Sequence, residues 1–196
     1  KKKKDRDIDL FIVAARGKNW LVRFFCVAIT KILGLRPNEK NMRDKICLSF
    51  YITDENFDLA GLKLEDSEDI YFTYWLAGLV PIYNRDCTYE KLIESNSWLV
   101  KHLPNLICAD ISKNLQIRAG ERGSYSHLAN LLFGWLEKPL KNWQLKKMPK
   151  KIKEIMNKDS RVVVNDAVLK FHLNDRRKYY NDAHMQRLKN LNIKIL

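Results

Sequence analysis

The sequence predicts an α/β chain of the α+β kind, in which a small mixed sheet is followed by a mainly helical region. Three observations predict it. Asp7–Ala14 passes from alternating charged and apolar residues into Leu10-Phe11-Ile12-Val13, the pattern of a strand entering a core. Trp20–Leu33 repeats apolar residues at helical spacing, through Trp20, Phe24 and Val27 and through Leu21, Ala28 and Ile32. Lys45–Ile52 then returns to a period of two. Strand, helix, strand is the order that a sheet with a helix over one face requires. With 196 residues, 46% of them hydrophobic, the chain can bury a core of its own.

The elements follow in order. Gly17-Lys18-Asn19 separates the first strand from the first helix, Gly34 ends that helix, and Pro37-Asn38 marks a loop. In Lys45–Ile52 the alternation puts Ile46, Leu48, Phe50 and Ile52 on one face and Lys45, Cys47, Ser49 and Tyr51 on the other. From Asp66 the character becomes helical. Asp66 and Ser67 are expected to cap a helix running to Tyr83, kinked or ended by Pro81. Another helix is expected at Tyr89–Leu99 after Thr88, stopped by Pro104. A long helix follows over Tyr125–Leu145, with Gly123-Ser124 as its N-cap and Pro139 inside it. Arg161–Val164 reads as a short strand or extended arm, and Asn174–Asn190 as a charged final helix. The expected division is 1–64 for the α/β core and 65–196 for the helical region.

Asp7 and Asp9 are the residues that carry chemistry. Period two points them the same way, with Cα atoms about 6.5 Å apart. Two carboxylates on one face can hold a divalent ion, which in turn holds a triphosphate. The plainer alternative is a charged strand entry that ends where burial begins.

The segment Asp5-Arg6-Asp7-Ile8-Asp9-Leu10-Phe11-Ile12-Val13 resembles the D-x-D strand of the DNA polymerase β-like nucleotidyltransferases, and within them a bacterial group of stand-alone nucleotidyltransferase-domain proteins. The resemblance continues through Asp44-Lys45-Ile46-Cys47-Leu48-Ser49-Phe50-Tyr51 and Leu79-Val80-Pro81-Ile82-Tyr83-Asn84-Arg85. It resumes at Phe171-His172-Leu173-Asn174-Asp175-Arg176-Arg177. Only the D-x-D is specific to the chemistry. The resemblance implies transfer of a nucleoside monophosphate from a nucleoside triphosphate such as ATP to an acceptor it does not identify. Asp7 and Asp9 would be the catalytic pair and the ligands of one or two Mg²⁺ or Mn²⁺. Arg16 and Lys18 stand just past the strand, where they could reach phosphates, and Ser49 stands on the face turned to the acids. The superfamily carries a Gly-Ser pair shortly before the D-x-D, and Lys1–Arg6 contains none. The chain is therefore expected to be a fragment or a truncated gene product that transfers nucleotides poorly or not at all. A third carboxylate belongs on the later strand, where this chain offers Ser49 or Cys47; Asp44 and Asp54 flank that strand as turn residues. The competing reading is a non-catalytic nucleotide- or RNA-binding module that keeps the fold.

The formal charge is +13, and the excess is uneven. Lys138–Lys158 holds eight lysines against the single acid Glu154. This segment reads as a solvated helix face, as a surface tracking the phosphates of a nucleic acid, or as a membrane-surface or protein contact. Trp135 and Trp143 beside it are expected to serve the core. Cys26, Cys47, Cys87 and Cys108 form no C-x-x-C pair and sit among apolar neighbours, which suits free thiols in a reducing cytoplasm. His102, His127, His172 and His184 have no zinc-ligand spacing. The longest uncharged stretch, Ile70–Asn84, is fifteen residues, short of the roughly 20 of a spanning helix, so no membrane segment is expected.

Overall fold

The computed structural model describes residues 7–37, 43–64, 68–106 and 133–191. Among them the order is β1 (Ile8–Ala14), α1 (Asn19–Ile32), β2 (Ile46–Thr53), α2 (Ile70–Ala77), α3 (Thr88–Ser95), α4 (Leu99–His102), α5 (Glu137–Lys147), α6 (Lys150–Ile155), β3 (Val162–Val164), β4 (Val168–Phe171) and α7 (Arg177–Asn190). The four strands make one mixed sheet in the order β1-β2-β4-β3. β1 and β2 run parallel, and the other two pairs are antiparallel. The fold is mixed α/β, as the alternation of periods predicts.

One irregularity reorganises β2. Asp9 pairs with Cys47, but Phe11 pairs with Phe50, so β2 carries one more residue than β1 between the two pairings. Such a bulge reverses the face assignment of every residue beyond it. Phe50 therefore shares a face with Cys47, and Tyr51 joins Leu48 on the other. This corrects the simple alternation, which put Phe50 with Leu48 and Tyr51 with Cys47. The ring contacts agree: Phe11 meets Phe50 edge-on at 5.0 Å.

The opposite face carries the core of this unit. Leu48 and Tyr51 pack with Trp20, Met148, Val162, Val164 and Leu169, joined by half-buried side chains of α1, α5 and α6. α1 starts without a side-chain cap of its own. The N–H groups of Trp20 and Leu21 instead donate to the Glu137 carboxylate, at 2.9 and 2.8 Å. Glu137 opens α5, so one helix caps another and fixes their packing. Gln144 adds a donor to the Trp20 carbonyl at 2.8 Å and accepts from Arg23. Pro139 falls in the first turn of α5, where no intrahelical N–H is owed, so it does not break the helix.

A second unit holds α2, α3, α4 and α7. Asp69, not Asp66 or Ser67, caps α2, accepting from the Phe72 N–H at 3.0 Å; the helix ends before Gly78, well short of Tyr83. Its buried side chains include Leu59, Leu62, Phe72, Leu76, Tyr89, Leu92 and Leu99. Asn96, fully buried, accepts from the Leu59 N–H and donates to the carbonyls of Phe57 and Leu92.

The chain enters this unit at Phe57 and again at Asn174, while α5, α6, β3 and β4 belong with β1 and β2. The single boundary expected after residue 64 is thus replaced by a sheet that takes its last two strands from the C-terminal half. Gly123-Ser124, Asp66, Ser67 and the start of the helix expected at Tyr125 lie outside the described residues. Within the described residues, no helix is long and apolar enough to cross a membrane.

Candidate metal centre

β1 positions the two acids by strand geometry alone. Asp7 precedes its first residue, Asp9 is its second, and both stand on the face shared with Cys47. Ligand atoms of Asp7, Asp9 and Cys47 all lie within 4.8 Å of one another, a grouping that could hold a metal ion. Asp9 keeps solvent access as a residue, yet desolvation is the leading cause that raises its carboxyl pKa. The Asp7 charge adds to the rise, and a hydrogen bond from Cys47 opposes it. Burial pushes the Cys47 thiol up to about 11; the hydrogen bond to Asp9 and the charges of Asp9 and Asp7 add, while a hydrogen bond from Ser49 opposes. Burial leads both shifts, and the Asp7 charge is a lesser contributor to each.

Ser49 lies next in this row. Its Oγ is 2.9 Å from Nε2 of His172, the residue after β4. The bulge lets Ser49 and Phe50 both face the acids' side, and His172 also meets the Phe50 ring edge-on at 6.0 Å. Of the two residues that the sequence offered for the third position, Cys47 pairs with Asp9, and Ser49 bonds to His172. Sequence reasoning missed His172, whose contact spans 123 residues and leaves no local pattern.

Other expected participants stand elsewhere. Arg16 and Lys18 follow the far end of β1, whose last residue, Ala14, lies about 17 Å along the strand from Asp9. Arg16 donates from its guanidinium to Glu55 at 2.8 Å, and its backbone N–H donates to Asp54 at 2.8 Å. Arg16 and Lys18 thus follow the end of β1 opposite to Asp7 and Asp9, and Arg16 is engaged by Glu55. Asp54 is a turn acceptor and Asp44 holds a left-handed turn (φ 56°) beside Arg43. Neither belongs to the group that Asp7 and Asp9 form with Cys47, so among the described residues the third position falls to Cys47.

No family model, curated protein or solved structure matches the chain.

Proposed function

We propose that this chain is a metal-dependent nucleotidyltransferase, with Asp7 and Asp9 as the ligands of Mg²⁺ or Mn²⁺ and a nucleoside triphosphate as substrate. The convergence of Asp7, Asp9 and Cys47 carries the reading, together with the resemblance of the D-x-D strand. Two carboxylates offer the hard oxygens these ions prefer, whereas the Cys47 sulfur is soft and is better suited to hold Asp9 by its S–H. A divalent ion there supplies neutralisation of the triphosphate's charge. Asp7 and Asp9 fix where that charge is met, and so where the acceptor oxygen approaches the α-phosphorus as pyrophosphate leaves.

A second reading, a non-catalytic nucleotide- or RNA-binding module, has two supports. The position beside Asp9 offers a thiol and a hydroxyl where a third carboxylate would act as base. In addition Trp135 and Trp143 are 69% and 50% exposed beside the lysines of α5 and α6, and Trp143 also meets the Phe24 ring edge-on at 5.9 Å. Incubation with α-labelled triphosphates and mixed acceptors separates the readings. Asp9-dependent labelling and pyrophosphate release support transfer; metal-dependent triphosphate binding without either supports the module.

A further inference from the structure

The helical unit holds an open cavity of about 420 Å³ between α2 and α7, lined by Ile70, Tyr71, Tyr74, Trp75, Tyr180 and His184. All six residues belong to that one unit. Small-ligand sites typically have volumes of about 300–1,000 Å³ and mostly aromatic or apolar walls, so size and lining both suit one. Tyr71, Tyr74 and Trp75 stand at i, i+3 and i+4 on α2, and Tyr180 and His184 at i and i+4 on α7. Each helix thus turns one stripe of rings to the cavity. Neighbouring rings brace them. Tyr71 stacks on Tyr180 across the two helices at 5.3 Å, Tyr180 meets Tyr179 edge-on at 5.4 Å, and Trp75 stacks on the buried Phe72 at 5.6 Å. Tyr71, Tyr74 and Tyr180 nevertheless stay exposed, and contiguous exposed aromatic surface of this kind marks a place of binding.

Charge selects the ligand. No lining residue is a carboxylate, and α2 carries no charged side chain over Ile70–Ala77. On α7, Arg187 stands seven residues after Tyr180 and three after His184, which puts it on the cavity's face of the helix, and it is exposed. Asp182, the one acid of α7, is two residues from Tyr180 and belongs to another face. Ring faces also attract cations, but the positive helix and the net charge of +13 oppose that choice. We infer that the cavity binds a flat heteroaromatic ring bearing an anionic group, the combination a nucleoside monophosphate presents. The ring stacks on the aromatic side chains of α2 and α7, His184 offers it a hydrogen-bonding edge, and Arg187 meets the phosphate. This inference uses residues of the helical unit alone and stands apart from the reading of Asp7 and Asp9.

Adenosine monophosphate (AMP) is the probe, titrated into the full chain by calorimetry with EDTA present so that no metal ion contributes. Wild type should bind AMP, and adenosine more weakly. Ribose 5-phosphate, which lacks the ring, and tetramethylammonium, which a cation cage would take, should not bind. Tyr74→Ala should weaken AMP by about fivefold or more, the low end for loss of one stacking partner. Tyr74→Phe keeps the ring and should keep most of the affinity. Arg187→Gln should weaken AMP while leaving adenosine unchanged, a split that a loss of stability would not produce. Absence of AMP binding in the wild type, or wild-type affinity in both Tyr74→Ala and Arg187→Gln, would overturn the inference. Tetramethylammonium binding that Tyr74→Ala abolishes would overturn it too, by making the cavity a cation cage. AMP binding lost in Asp7→Asn/Asp9→Asn but kept in Tyr74→Ala would assign the nucleotide to the acids, which sinks this inference and leaves the proposed function standing.

Discussion

Arg177 shows how a single residue holds the helical unit. Its Nη1 donates to Asp69 at 2.8 Å and to the Leu62 carbonyl at 2.8 Å, and its Nε donates to Asp175 at 2.7 Å. The side chains of Arg177 and Asp69 are 4% and 0% exposed, so neither charge has water to fall back on. Asp69 also accepts from the N–H groups of Leu64 and Phe72. Removing Arg177 leaves that carboxylate buried without its cation, which typically costs about 3–5 kcal/mol. Urea unfolding of Arg177→Met should show that loss, against a change within about 0.5 kcal/mol for the exposed neighbour in Arg176→Ala. Equal small losses would show that Asp69 is satisfied without the guanidinium. The run Asn174-Asp175-Arg176-Arg177 is legible in the sequence as part of a group resemblance, but its structural purpose is not. An ion pair across 108 positions has no local signature. Asp7 and Asp9 are the opposite case, because period two is a purely local property and a strand expresses it directly.

Elements are legible where their signals are local. β1, α1 and β2 lie close to where periodicity puts them, α3 starts where Thr88 predicts but stops at Ser95, α7 falls within the expected charged helix, and α6 and β4 have no such signal. β4 has only four residues, one of them the buried Lys170, whose Nζ donates to the Ser160 carbonyl and lies over the Phe50 ring. The bulge in β2 is invisible for a related reason: it exists only relative to the partner strand, so no pattern within Lys45–Ile52 announces it. The cap of α1 is likewise supplied from outside the element. Glu137 serves the N–H groups of Trp20 and Leu21 from more than a hundred residues away. Glu137→Ala should therefore destabilise the protein by about 1–2 kcal/mol, as loss of a helix cap does, and Glu137→Gln by less, since one acceptor oxygen remains. Thermal or urea unfolding checks both. An unchanged Glu137→Ala would mean that solvent serves those donors equally well.

At the scale of the molecule, the chain divides its labour between a sheet-bearing unit, which holds the acids and the lysines of α5 and α6, and a helical unit. Lys146, Lys147, Lys150 and Lys151 are exposed, and Lys141 is paired with Asp166 at 2.6 Å. If this face tracks a polyanion, changing those four lysines to Gln should weaken binding to RNA of any sequence. The slope of log affinity against log salt should fall by about 0.7 for each single-strand phosphate that is no longer neutralised. Removing Lys1–Lys4 instead serves as the control. Equal losses in both would assign binding to a diffuse positive field. The central claim, that Asp7 and Asp9 hold an ion for a triphosphate, is tested most directly by calorimetry of a nucleoside triphosphate with Mg²⁺ or Mn²⁺. Wild type should bind the triphosphate only with the ion present, and Asp7→Asn/Asp9→Asn should lose that metal-dependent part. Equal metal-dependent affinity in the two proteins would contradict the claim.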